Sequence, residues 1–80
     1  MFDKEKLKQV IADHGDTNKA LADFLGMTAS NFSTIWNGRQ SFQRKHIVRI
    51  AVLYQLSPQD VWDIFFLADA RVIKKEVGET

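Results

Sequence analysis

Between Thr28 and Asn37 the chain reads Thr-Ala-Ser-Asn-Phe-Ser-Thr-Ile-Trp-Asn. At about 100° per residue, Ser30, Ser33, Thr34 and Asn37 share one side of a helix. Phe32 and Ile35 lie on the other, and Ala29 and Asn31 flank the polar side. Hydroxyls and amides both donate and accept hydrogen bonds, so this face could read base edges or could simply meet water. Residue types alone leave both open, and a solvated face is the commoner case. Thr17 and Asn18 sit where a helix N-terminus favours an anion. Arg39, Arg44, Lys45 and Arg49 follow the polar helix, with no acid between residues 39 and 54. His14 and His46 stand far apart, without metal-ligand spacing and without cysteine. No nucleophile, base and orienter are grouped, and no Gly-rich phosphate loop occurs. The pattern predicts no enzyme, no cofactor, no metal and no small-molecule ligand.

The elements that would position these groups are short helices. Asp3 is an N-cap type, with Phe2 before it and Leu7 after it spaced as a hydrophobic staple. Leu7, Val10 and Ile11 form a buried stripe, and His14-Gly15 closes the first helix. Thr17 caps the second, where Ala20, Leu21, Phe24 and Leu25 recur at helical spacing. Gly26 ends it, Met27 is an apolar turn residue, and Thr28 caps the third helix, which Asn37-Gly38 ends. Ser41-Phe42 is expected to open a fourth helix running to about Tyr54. Ile47, Val48, Ile50, Ala51 and Tyr54 should face inward there, and Lys45, His46 and Arg49 outward. Ser57-Pro58 starts a fifth helix. Val61, Trp62, Ile64 and Phe65 should face its core side; Phe66 and Leu67 do not fit that stripe. Both tryptophans read as packing residues. Residues 68–80 read as a polar tail, frayed from Val77 to Thr80.

Eighty residues make one domain with a modest core, so a partner subunit would help it. The absence of cysteine excludes a disulfide framework. No run is long and apolar enough for a membrane span and no signal segment is seen, which makes the cytoplasm the expected compartment. The net charge of +1 says little by itself. Its distribution says more: residues 1–38 carry four Lys and five acids, residues 39–54 four bases and no acid, residues 55–80 three bases and five acids. A localised patch can hold DNA where the average charge would not.

The stretch 17–38 resembles the Cro and repressor family, also called XRE-like. Its pattern is carried by Thr17-Asn18, Leu21-Ala22, Leu25-Gly26, Met27, Thr28, Phe32, Ile35 and Asn37-Gly38. Asn18 stands where the family usually has Gln, Phe42 about where Pro is frequent, and Trp36 is bulky for its site. The likeness weakens but continues to about residue 66. The opening Met-Phe-Asp, Leu7-Lys8 and Ile64-Phe65-Phe66 are also similar to short phage and prophage Cro-like proteins.

The resemblance implies an all-α, five-helix, lambda-repressor-like domain over residues 1–67, with its helix-turn-helix at 17–38. Residues 68–80 would be a C-terminal tail that could touch a dimer partner. It implies a promoter-occluding repressor that binds an inverted-repeat operator in double-stranded DNA as a homodimer. Thr28, Ala29, Ser30, Asn31 and Thr34 would read bases. Thr17, Asn18, Ser33, Asn37, Arg39, Arg44 and Lys45 would contact phosphates. Apart from the resemblance, the apolar surplus at Phe66 and Leu67 and the small core point to Phe65, Phe66 and Leu67 as the dimer contact. The competing expectation is a protein-binding helical module, such as an antitoxin, that uses those same three residues.

Overall fold

A computed structural model of the chain describes residues 1–78, and residues 74–78 only by the course of their helix. Glu79 and Thr80, the end of the expected frayed tail, lie outside the described residues. Among the described residues every regular element is helical. Helix α1 spans Lys4–Asp13, α2 Asn18–Phe24, α3 Ala29–Trp36 and α4 Arg44–Leu53. The fifth helix is continuous but built in three parts: α5 Pro58–Val61, a π-helical turn Trp62–Phe66, and α6 Leu67–Gly78.

Side-chain oxygens set where most of these helices begin. Asp3, Thr17, Thr28 and Ser57 each accept a backbone N–H three residues on, at 3.1 Å. Such a bond satisfies a donor the helix cannot satisfy itself. The endings of α1 to α4 share one pair of backbone bonds. In α2, Gly26 N–H donates to Asp23 C=O and Met27 N–H to Ala22 C=O. This closure needs a left-handed residue, and Gly26 has φ +72°. A β-carbon there would meet no atom within 4 Å, so only backbone conformation opposes a larger residue. The end of α4 makes the same closure with Gln55, at φ +52°.

Leu7 of α1, Leu21 of α2 and Ile50 of α4 are fully buried and mark the middle of the core. Full burial of each contributes about 1.5–3 kcal/mol. Tyr54 is buried beside them and donates its hydroxyl to the Asp16 carboxylate at 3.0 Å, tying the end of α4 to the turn before α2. Burial first, then this bond, push the phenol well above its ordinary range, so it remains a donor. A second layer is aromatic. Phe42 sits edge-on to Phe2 at 5.0 Å, Phe32 at 6.4 Å and Phe65 at 5.8 Å between ring centroids.

The structure departs from the sequence reading at identifiable points. The fourth helix starts at Arg44, capped by Gln43, because Phe42 turns inward to fill the core instead of opening the helix. His46 is buried, not outward, and Val48 is exposed, not inward. Ala20 and Phe24 on α2 are exposed. The π turn places Ile64 and Phe65 in the core and turns Trp62 out, 46% exposed. Phe65 is only 4% exposed, so it packs inside and offers no partner surface, whereas Phe66 is 42% exposed. The helix passes residue 67 without a break. Residue 3 is also tied to this turn, as Asp3 N–H donates to Ile64 C=O at 2.6 Å.

Gln55→Gly should stabilise the protein by about 1 kcal/mol, because it relieves an L-residue held at positive φ. Gly26→Ala should cost about as much. In a domain of this size each should move the melting temperature by roughly 4–8 °C, in opposite directions. Two shifts of the same sign would contradict this account of the helix ends.

Candidate nucleic-acid interface

Phe32 and Ile35 face the core, which fixes the opposite side of α3 toward solvent. Thr28, Ala29, Ser30, Asn31 and Ser33 are exposed, and Thr34 is half-buried. Their hydrogen bonds separate what looked alike in sequence. Thr34 Oγ1 donates to Ser30 C=O at 3.0 Å, so its proton is used within the helix and its methyl and lone pairs remain. Thr28 Oγ1 accepts from Asn31 N–H and keeps its proton for an outside acceptor. Asn37 Nδ2 donates to Ser33 Oγ at 3.2 Å, which pairs two of the expected phosphate contacts with each other. Among the described residues, the side chains of Ser30 and Asn31 take part in no hydrogen bond within the chain. They are the groups on this face most open to an outside partner.

The cationic groups lie where helix stability does not ask for them. Arg44 and Lys45 are the first two residues of α4, and Lys19 follows Asn18 at the start of α2. The positive end of a helix dipole disfavours a cation there. The first turns of α2, α3 and α4 contain no acid, whereas α1 has Glu5 and α5 has Asp60. Arg39, at the close of α3, is held by its N–H to Thr34 C=O at 3.0 Å. Arg39, Arg44, Lys45 and Arg49 are exposed, and none takes part in an ion pair among the described residues. The first turns of three helices carry no acid and, among the described residues, the four bases form no ion pair, which suits a polyanion.

Sequence reasoning missed His46. Its backbone N–H donates to Gln43 C=O at 3.0 Å, and its ring Nδ1 accepts from Gln43 N–H at 3.4 Å. This reciprocal bond needs a ring unprotonated at Nδ1. Burial first, then Lys45 and Arg49, push the imidazole below its ordinary value of 6.5. A His three residues after a Gln is not a familiar capping signature, so only the buried stripe could have found it. Sequence reasoning also missed Lys4, whose ammonium lies 5.7 Å from the centre of the Trp36 ring. Among the described residues no three His, Cys, Asp or Glu side chains are grouped to hold a metal, and no helix is long and apolar enough to cross a membrane.

The unfolded chain takes up a proton at His46 near pH 6.5, and the folded chain resists it. Stability from this site is therefore full above pH 6.5 and declines as pH falls below it. The urea midpoint should drop between pH 7.5 and pH 5.5, with a smaller drop in His46→Gln, which stays neutral. Equal drops in both proteins would remove His46 from the account.

Residues 6–65 match the model of the Cro/C1-type HTH DNA-binding domain. No curated protein and no solved structure matches the chain. The matched span holds both helices of the helix-turn-helix, the turn at Gly26 and the four bases after α3. With three quarters of its length matched, the chain belongs to the Cro/C1-type helix-turn-helix DNA-binding family, and its all-α framework is consistent with the lambda-repressor-like fold.

Proposed function

We propose that the protein is a sequence-specific transcriptional regulator, a Cro-like repressor of phage or prophage type, which covers promoter DNA. The observation that carries this is the outward face of α3, open at Ser30 and Asn31 and bordered by bases that form no ion pair among the described residues. The N-terminal half of α3 lies in a major groove, with Thr28, Ala29, Ser30, Asn31 and Thr34 at base edges. The helix has no Arg or Lys, so it lacks the bidentate contact to guanine. Its single hydroxyls and one amide give soft direct readout, and DNA shape carries more of the choice. Thr17, Asn18, Ser33, Asn37, Arg39, Arg44 and Lys45 hold the phosphates. The mechanism is occupancy.

The protein acts as a homodimer on an inverted repeat whose half-sites lie about 34 Å apart. Support comes from an exposed apolar stripe on the fifth helix: Trp62 and Phe66, with ring centroids 6.1 Å apart, then Val72 and Ile73. Phe66 and Ile73 are seven residues apart, two helical turns, so both point to one side. Phe66 and Leu67 stay in this contact, Trp62 joins it, and Phe65 leaves it for the core.

Three outcomes test these assignments. Asn31→Ala or Ser30→Ala should narrow the gap between operator and random duplex by about 1 kcal/mol, with an unchanged salt slope. Arg39→Gln should weaken both duplexes alike and flatten the slope by about one unit. The reverse pattern would mean that α3 does not lie in the groove. Phe66→Asp should convert a dimer to a monomer in sedimentation and weaken operator binding. A dimer that survives it would move the interface elsewhere, and an apolar, salt-insensitive protein partner captured by Trp62 and Phe66 would favour the antitoxin-like reading.

A further inference from the structure

We propose that Lys4 is an additional phosphate contact of this domain, positioned at the end of α3 by Trp36. This rests on the reading that α3 lies in a DNA groove. Lys4 opens α1 and precedes the span 6–65 that the family model covers. Its ammonium lies 5.7 Å from the centre of the Trp36 ring, and Trp36 is the last residue of α3. The indole is itself held, stacked on Phe32 at 5.6 Å and tilted against Phe2 at 5.4 Å. Lys4 is half-buried, so its stem packs in part against the protein while its charged end stays open to solvent.

Lys4 borders a hollow of 280 Å³ between the start of α1 and the loop after α3. Asn37, Gln40 and Ser41 contribute polar groups to its wall, Phe2 and Phe42 line it, and Asp69 also borders it, its carboxylate paired with the Met1 amino group. Asn37 is already assigned to a phosphate, and Arg39 leaves the chain two residues later. No acid neutralises Lys4 among the described residues: Asp3 caps α1, and Asp69 pairs with the Met1 amino group at 3.0 Å. A cation in the first turn of α1 is again unfavourable to the helix dipole, so helix formation does not account for it. The last turn of α3 has no base of its own, and Lys4 supplies one from another helix.

A structural role, a cation resting on an aromatic ring at the negative end of α3, would produce the same geometry. The two roles differ in how binding responds to salt. Affinity for a random duplex is measured across a salt series for the parent, Lys4→Gln, Lys4→Met, Lys4→Arg, Arg39→Gln and Lys6→Gln, with urea stability of each. Lys4→Met keeps an apolar stem on the indole and removes only the charge. Loss of one phosphate contact lowers the slope of log K against log salt by about 0.9. Lys4→Gln and Lys4→Met should both show that loss at unchanged urea midpoint, and Lys4→Arg should restore the slope. Lys6, beside Asp63 at 3.9 Å, should leave it intact. If Lys4→Met keeps the parent slope while Arg39→Gln flattens it, the Lys4 contact is wrong and the groove reading stands. If neither flattens it, the groove reading fails as well. An equal loss in Lys6→Gln would reduce the effect to general charge and overturn the proposal.

Discussion

The contact of Phe42 with three other rings is what α3 depends on. An eight-residue helix does not hold itself together in water, because nucleation is costly and few bonds follow it. Its direction must come from packing. Phe32 and Ile35 anchor it below, and Trp36 anchors its end against Phe2. Phe42 joins Phe2, Phe32 and Phe65, so the N-terminus, α3 and the fifth helix meet in one aromatic layer. Aromatic pairs of this kind contribute about 0.5–1.5 kcal/mol each beyond their buried area. The outward face of α3 is thus set from behind, by the rings packed beneath it.

Charge is arranged on top of that packing. Acids sit in the first turns of α1 and α5, where they favour the helix, and are missing from the first turns of α2, α3 and α4. At the start of α4 two cations occupy the unfavourable end of the dipole, and a neutral His46 closes the cap beneath them. A protonated imidazole there would add a third charge beside Lys45 and Arg49 and lose its acceptor. The same region that presents positive charge therefore has to keep one titratable ring neutral.

Much of this framework was legible in the chain because its signals are local. Thr17, Thr28 and Ser57-Pro58 mark helix starts through their own oxygens, and Gly26 marks a turn only a left-handed residue can make. Gln55 performs the same closure without being Gly, so the end of α4 gave no such sign. The surplus of Phe66 and Leu67 on a single stripe was visible. Its cause, a π turn that shifts the helical period, was not, and the facing of Trp62 and Phe65 followed from that shift. Local pattern cannot see a core waiting for a ring, so Phe42 reads from sequence as part of a helix. On α3 the residues facing outward could be read from spacing. Which of them keep free hydrogen-bonding groups could not, since Thr34 spends its proton on Ser30.

The central claim is that the outward face of α3, steadied by the aromatic layer, is the surface that meets DNA. Backbone amide NMR of the protein, titrated with a short duplex at low salt, tests it most directly. The largest shifts should fall on Thr28 to Thr34 and on Arg39 to Lys45, with Trp62, Val72 and Ile73 little changed beyond any effect of dimerisation. Shifts concentrated on the fifth helix, with α3 silent, would contradict the account.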